Sequence, residues 1–113
     1  MELNRKPTKE EERLIEFLIN LSSKKFPSDW KEKITVRQMN DGGMGGLVIF
    51  LDKEIEQNRL FGEQISEYQF MDKDGVDVIV SLNIDKSGDL FELDIWKTDF
   101  SRLIKFPAID AGL

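Results

Sequence analysis

The sequence predicts an α+β domain, in which an N-terminal helix packs on one face of an antiparallel, meander-like sheet of about five strands and a short C-terminal helical turn follows. Three features lead to this prediction. A helix-capping signal precedes apolar residues at helical spacing, two long stretches alternate between apolar and polar residues, and one short stretch is apolar throughout. Because 113 residues can bury one hydrophobic core and not two, we expect residues 1–113 to form a single domain.

A helix is predicted over residues 8–25. Thr8 and Glu11 have the spacing of a capping box, in which each side chain hydrogen-bonds to the backbone amide of the other residue. The apolar residues that follow form a stripe at helical spacing: Leu14, Ile15, Phe17, Leu18 and Leu21. Pro27 stops the helix from continuing. Because an antiparallel sheet needs a cover on one face, we expect this stripe to pack in the core.

Trp30 is predicted to be a core residue in the connector that follows the helix. Ser28 or Asp29 can cap one short helical turn over residues 30–33. We expect the indole to lie as a lid on the core rather than to serve as a platform for a ligand.

Residues 34–51 are predicted to form the first hairpin. Residues 34–39 alternate, whereas residues 47–51 are apolar throughout, as is typical of an interior strand that is buried on both faces. The face of that strand away from the helix needs a cover, which either the C-terminal segment or a second protein can supply. A helical turn is expected around residues 53–59, in the connection that follows.

A glycine-rich loop joins the two strands of this hairpin, with four glycines among residues 42–46. The simpler interpretation is a plain flexible hairpin loop. The alternative is a loop whose bare amides approach an anion or that moves over a site, with Gly43, Met44 and Gly45 as the candidate residues. The loop has neither the lysine and hydroxyl residue of a phosphate-binding loop nor the spacing of a dinucleotide-binding motif.

Residues 64–98 are predicted to form a three-stranded antiparallel meander. Its second and third strands alternate between the two faces of a sheet. The residues on the expected core face are Val76, Val78, Val80, Leu82, Ile84, Phe91, Leu93 and Ile95. A bulged three-residue turn ending at Gly75 and a two-residue turn at Ser87-Gly88 set the register. The expected pairs are Phe70 with Val78, Tyr68 with Val80, Ser66 with Leu82, Leu82 with Leu93, Val80 with Ile95 and Ile84 with Phe91.

The other face of the predicted meander is acidic and surrounds a tryptophan. The register gives this face three cross-strand rows, which are Glu67, Ser81 and Asp94; Gln69, Ile79 and Trp96; and Ile65, Asn83 and Glu92. Residues 63–99 contain ten acidic and three basic side chains, while residues 1–62 contain eleven of each. The excess of negative charge therefore lies on the meander.

Residues 99–107 are predicted to form a C-terminal segment that begins with a short helical turn. Asp99 can cap this turn, and Phe100, Leu103 and Ile104 would give it an apolar edge. That edge is one candidate cover for the sheet.

Composition and charge exclude several classes of function. A formal net charge of −6 disfavours nucleic acid and anionic membranes as partners, because both require a positive surface. The sequence has no cysteine and no histidine, which removes disulfides, thiolate metal sites and the commonest general base. Glu67 and Asp94 could form a carboxylate pair, but an exposed sheet face offers little of the desolvation that catalysis needs. We therefore expect no catalytic residue, no cofactor and no metal site.

The longest motifs resemble those of a known family. The likeness lies in DKDGVDVIVSLNID at residues 72–85, LFELDIWKTDFS at residues 90–101, NDGGMGGL at residues 40–47 and LFGEQISEY at residues 60–68. These motifs are similar to a family of small uncharacterised bacterial proteins, a domain of unknown function. In that family a proline often follows the DFS triplet, where this chain has Arg102. The resemblance implies a bacterial α+β domain and supplies no activity or active-site residues.

A protein-binding module is the first functional hypothesis, because an aromatic anchor ringed by acidic residues suits a basic partner. The candidate partner-binding residues are Trp96, Asp94, Glu92, Glu67, Ile79 and Met71. An immunity-type inhibitor of a basic toxin would be one instance. The alternatives are a self-associating domain, whose acidic faces would repel each other, and a small-ligand or anion-binding domain that uses the loop at Gly42–Gly46. Since no signal peptide or membrane span is evident, we expect a cytoplasmic monomer or weak homodimer.

Overall fold

The computed structural model describes residues 4–51 and 59–109. Its helices and strands are α1 (Lys9–Leu21), α2 (Trp30–Lys33), β1 (Ile34–Gln38), β2 (Leu47–Leu51), β3 (Phe61–Met71), β4 (Asp77–Asp85) and β5 (Leu90–Lys97). All strand pairs are antiparallel and form one sheet. The predicted α+β fold class is confirmed. The helical turn expected around residues 53–59 falls almost wholly outside the described residues.

The strand order is β1-β2-β5-β4-β3, which differs from a simple meander. β2 pairs with β5 through Leu47 opposite Leu93, and β3 lies at the far edge of the sheet. This order places the apolar β2 in the interior, as its composition predicts. It leaves β3 at an edge of the sheet, and the β3 residues Phe61 to Gln64 are exposed. Polar residues and irregular pairing are common in edge strands.

α1 begins at the predicted capping box. The Thr8 hydroxyl accepts a hydrogen bond from the Glu11 amide at 3.1 Å, and the Glu11 carboxylate accepts one from the Thr8 amide at 2.8 Å. The helix ends at Leu21 and not at residue 25, because the amide and hydroxyl of Ser22 both donate to the Ile19 carbonyl, at 3.0 and 2.7 Å. These bonds satisfy a terminal carbonyl without a further helical turn. Among the described residues, no helix combines the length and apolar character needed to cross a membrane.

The core lies between α1 and one face of the sheet. The α1 residues Leu14, Ile15 and Leu18 are buried where the helix packs on β3 and β4, and the Phe17 ring contacts the Tyr68 ring of β3 edge-on at 4.8 Å. Trp30 is 9% exposed and belongs to the same apolar cluster, so its predicted role as a core residue is confirmed.

The register of the meander follows the prediction over its middle. The predicted pairs of Phe70, Tyr68 and Ser66 with β4 are confirmed, as are the pairs of Leu82 and Val80 with β5. Three register shifts lie near the strand ends, and two of these bulges change the predicted pairing. Ile65 is left unpaired between Gln64 and Ser66 and packs against the core, and Ile84 pairs with Leu90 in place of Phe91.

The second bulge arises because the β4–β5 turn is one residue longer than predicted. The backbone closes between Asp85 and Asp89 with a hydrogen bond of 2.9 Å. The Asp85 carboxylate then accepts from the amides of Ser87 and Asp89, at 2.9 and 3.0 Å. A side chain that binds two turn amides stabilises this wider turn over the two-residue alternative.

The C-terminal residues 99–109 are irregular, in place of the expected helical turn. The Asp99 carboxylate binds the amide and hydroxyl of Ser101, and Phe100 has a positive φ of 64°, which a helix cannot accommodate. The apolar residues of this segment that pack on the core cluster are Leu103, Phe106 and Ile109. These three side chains therefore lie on the α1 side of the sheet and do not cover the second face of β2. On that second face Phe50 is 5% exposed, with the Arg37 guanidinium 5.0 Å from its ring centre.

Candidate functional site

The face of the sheet opposite α1, which we call the outer face, carries the candidate binding residues. Two of its predicted rows are confirmed: Glu67, Ser81 and Asp94 are neighbours across three strands, and so are Gln69, Ile79 and Trp96. The prediction of the third row is wrong at one residue. Gln64 stands opposite Asn83 where Ile65 was expected, because the bulge in β3 turns Ile65 to the core.

One end of the outer face is closed by Arg59. Its Nε donates to Asp85 Oδ2 at 2.9 Å, and its two terminal nitrogens donate to the carbonyls of Ile49 and Leu90, at 2.6 and 2.5 Å. The guanidinium also lies 4.9 Å from the centre of the Phe91 ring. Arg59 thereby fills the space between β2 and β5 beyond their short pairing. No sequence pattern indicated this role, because the contacts join residues that are distant in the chain.

The other end of the outer face is open and contains a groove of about 440 Å³. The residues that line it are Met39, Asp41, Met44, Glu67, Ile79, Ser81, Asp94, Ile95 and Trp96. Trp96 is 44% exposed, and the ring of Phe100 lies 6.2 Å from its indole. The groove thus joins two sites that the sequence suggested separately, the acidic face and the tip of the glycine-rich loop.

Two of the candidate residues lie outside the groove. Glu92 is next to Asp94 on the outer face of β5, toward the closed end. Met71 is 66% exposed at the end of β3, opposite Asp77. Neither lines the groove with Trp96.

The glycine-rich loop is held in place by contacts on both sides, unlike the free loop that its composition suggested. The Asp41 carboxylate accepts hydrogen bonds from the amides of Met44 and Gly46, at 3.0 and 2.8 Å. The Gly43 carbonyl accepts from the Leu103 amide at 3.1 Å. Two of the loop amides therefore bind an anion that the chain itself supplies. Asp41 was the signal in the sequence, because an aspartate that precedes glycines commonly binds nearby turn amides.

Met44 is fixed at the edge of the groove by the same arrangement. Its sulfur accepts a hydrogen bond from the Lys97 amide at 3.4 Å. Gly45 has a φ of 98°, and a Cβ atom there would lie 3.3 Å from Leu103 and 3.4 Å from Ile95. Glycine at this position allows the loop to approach the sheet closely, so that a methionine forms one wall of the groove.

The groove carboxylates of Glu67 and Asp94 accept hydrogen bonds from neutral side chains. Asp94 accepts from the Asn83 side chain at 3.2 Å, and Glu67 from the Gln64 side chain at 3.4 Å. Within residues 4–51 and 59–109, no lysine or arginine forms an ion pair with either carboxylate. Partial burial and the negative charge of Asp94 raise the pKa of Glu92 above its ordinary value. The site is therefore rich in negative charge and favours a cation.

A buried ion pair supports the groove from behind. The Lys97 side chain is fully buried, and its Nζ donates to Asp72 Oδ2 at 2.9 Å, to Asp74 Oδ2 at 2.7 Å and to the Arg102 carbonyl at 3.0 Å. This cluster ties the β3–β4 turn to the C-terminal segment. The prediction overlooked Lys97, although its spacing from Leu93 and Ile95 places it on the core face.

A second, apolar cavity of about 300 Å³ lies at the far end of the core. The residues that line it are Phe26, Pro27, Asp29, Trp30, Lys33, Leu51, Asp89 and Leu90. The two tryptophans of the chain thus lie in different cavities. In the part of the chain that the structure describes, no group of three or more acidic side chains is arranged to hold a metal ion.

Together, the fold and the groove define a small α+β domain with a five-stranded antiparallel sheet, one face of which is partly open and acidic. The chain belongs to the family described as a domain of unknown function, DUF6984, whose family model matches residues 4–107. The expected membership of a domain of unknown function is therefore confirmed. No curated protein and no solved structure matches the chain.

Proposed function

We propose that this domain is a non-enzymatic protein-binding module that docks a basic protein on the open end of its outer face. The observation that supports this most directly is the groove, in which the half-exposed indole of Trp96 lies beside the carboxylates of Glu67 and Asp94. A large aromatic side chain in a recess surrounded by charged groups is the usual composition of a binding hot spot. The module is expected to act in the cytoplasm of a bacterium.

The charge distribution favours a basic partner over other macromolecules. The formal net charge is −6, and the excess of acidic residues lies in residues 63–99. A field of one sign speeds the diffusional encounter with an oppositely charged protein and repels nucleic acid and anionic membranes. An immunity-type inhibitor, which must capture a basic nuclease toxin quickly, is the instance that we favour.

The two alternatives have less support. Self-association through the open end of the outer face would bring the Glu67 and Asp94 carboxylates of two copies together, and these like charges would repel each other. Anion binding by the glycine-rich loop would compete with Asp41, whose carboxylate already accepts from two of the loop amides, those of Met44 and Gly46. These observations argue against self-association through the outer face and against anion binding by the loop.

An affinity-capture experiment tests the proposed function. The wild-type domain, immobilised and exposed to a bacterial lysate, is expected to retain basic proteins that mass spectrometry identifies. Trp96→Ala should abolish the capture, because it removes the aromatic anchor. The matched control is Phe61→Ala, which removes another half-exposed aromatic ring at the start of β3, outside the groove, and should leave the capture unchanged.

Thermal unfolding of the same variants separates binding from stability. Because Trp96 is 44% exposed, we expect Trp96→Ala to change the free energy of unfolding by no more than about 1 kcal/mol. The proposed function is contradicted if the retained proteins are not basic, or if Trp96→Ala retains them as the wild type does. A large loss of stability in Trp96→Ala would show that the indole is a core residue.

A further inference from the structure

We propose that the groove receives one arginine side chain of the bound protein, with the guanidinium between Glu67 and Asp94 and against the indole of Trp96. This inference rests on the proposed function and specifies the chemical group that the partner supplies. It follows from the spacing of the two carboxylates, from the absence of a basic partner for them within the described part of the chain, and from the aromatic wall.

The row of Glu67, Ser81 and Asp94 leaves room for one cationic group. Neighbouring strands lie about 4.8 Å apart, so the Cα atoms of the two acidic residues are separated by about 10 Å across β4. The residue between them is a serine, whose side chain is short. Two carboxylates that flank a small residue form a gap with acceptors on both sides.

Among the residues that the structure describes, no basic side chain pairs with the carboxylates of this gap. Glu67 and Asp94 accept hydrogen bonds from the neutral amide side chains of Gln64 and Asn83. A guanidinium has five N–H donors that point outward in one plane, and it can therefore reach acceptors on opposite sides. A lysine ammonium is a compact point charge and would pair well with only one of the two carboxylates at a time.

The walls of the groove suit a planar cation. Tryptophan is the aromatic residue that binds cations best. Trp96 stands opposite Ile79, in the row next to that of Glu67, Ser81 and Asp94. Met39 and Met44 line the loop side, where flexible thioether side chains can adapt to the aliphatic part of an arginine. The groove volume of about 440 Å³ is sufficient for one such side chain.

Tryptophan fluorescence provides a direct test with a defined ligand. Trp30→Phe leaves Trp96 as the sole tryptophan, so its emission reports on the groove alone. We expect a blocked tripeptide, acetyl-Gly-Arg-Gly-amide, to shift this emission with saturation. The same peptide with citrulline, which has the shape of arginine without its charge, should bind about tenfold more weakly. The lysine peptide should fall between them.

If Trp30→Phe does not fold, nuclear magnetic resonance of the wild-type domain gives the same information. The indole N–H signal of Trp96, assigned by its loss in Trp96→Phe, should shift with the arginine peptide. The indole signal of Trp30, which is 9% exposed in the core, should not shift. This readout requires no change to the core.

A double variant tests the role of the two carboxylates. Glu67→Gln with Asp94→Asn should weaken binding of the arginine peptide by about tenfold and leave citrulline binding unchanged. Asp77→Asn is the matched control, because Asp77 is an exposed carboxylate of the same face that does not line the groove. Thermal unfolding confirms that all variants are folded.

The outcomes separate this inference from the proposed function. Equal binding of the arginine and citrulline peptides, or unchanged binding by the double variant, overturns the arginine inference. If basic proteins are nevertheless captured in a manner that depends on Trp96, the proposed function stands without it. If neither the peptide nor any basic protein binds, both are overturned. Selective, carboxylate-dependent binding of the arginine peptide supports both.

Discussion

Lys97 is a fully buried cation at the end of β5, and its partners explain how the C-terminal segment is attached. Its Nζ donates to Asp72 and Asp74, and Asp72 also accepts from three backbone amides, two of them in the C-terminal segment. The alternation of β5 predicts an inward side chain at residue 97, but a lysine is rarely buried unless it is paired. The sequence alone does not show that Asp72 is the ion-pair partner of Lys97.

The Asp72 carboxyl should make stability sensitive to acid. Burial, the largest single influence, raises its pKa, but hydrogen bonds from the Ile104 amide, from Lys97 and from further amides together lower it from 3.8 to about 2. Because the folded state binds this proton less readily than the unfolded state, the stabilisation is complete above the ordinary value and is lost as the pH falls toward about 2. Urea unfolding across this pH range measures the loss.

Asp72→Asn is the variant that isolates this effect. It should lower the free energy of unfolding at neutral pH by about 3 kcal/mol, because a buried charge loses its partner. It should also flatten the fall in stability between pH 3.8 and about 2. Asp77→Asn, at an exposed carboxylate, should keep the wild-type profile. An acid profile in Asp72→Asn as steep as that of the wild type would show that other carboxyls cause the fall.

At the scale of elements, the register of the meander was predictable and its irregularities were not. Alternation and turn type are local, and they placed β3, β4 and β5 correctly over their middle pairs. The bulge that turns Ile65 inward and the longer turn at Asp85 depend on individual hydrogen bonds and packing. These departures changed the third row of the outer face and left the two rows of the groove intact.

Among the elements of the fold, the glycine-rich loop is the one whose displacement should weaken binding most. Asp41→Ala deletes two hydrogen bonds to the amides of Met44 and Gly46 and should lower the free energy of unfolding by about 2 kcal/mol. Hydrogen exchange of those two amides should become faster, because they lose their acceptor. Capture of a basic protein should weaken as Met44 leaves the groove wall.

The matched control for this variant is Asn40→Ala, next to Asp41 and exposed. It should leave both stability and hydrogen exchange close to those of the wild type. If the amides of Met44 and Gly46 stay protected in Asp41→Ala, the loop is held by the C-terminal segment and not by its own aspartate.

At the scale of the whole molecule, α1 and the C-terminal segment cover one face of the sheet, while the outer face is closed at the Arg59 end and open at the Trp96 end. The fold class and the acidic rows follow from the sequence because they depend on local periodicity. The pairing of β2 with β5 and the closing role of Arg59 do not, since both join distant parts of the chain. The groove also required the structure, because it forms where the loop before β2 meets a face built from β3, β4 and β5.

The most direct test of the groove as the docking surface is nuclear magnetic resonance mapping of the ¹⁵N-labelled domain with a captured basic protein. We expect the shifted backbone amides to cluster around Glu67, Ile79 and Trp96, together with the loop at Met44, and the amides of α1 to remain unchanged. Shifts concentrated on α1 or along β1, with the groove residues unaffected, would contradict docking at the outer face.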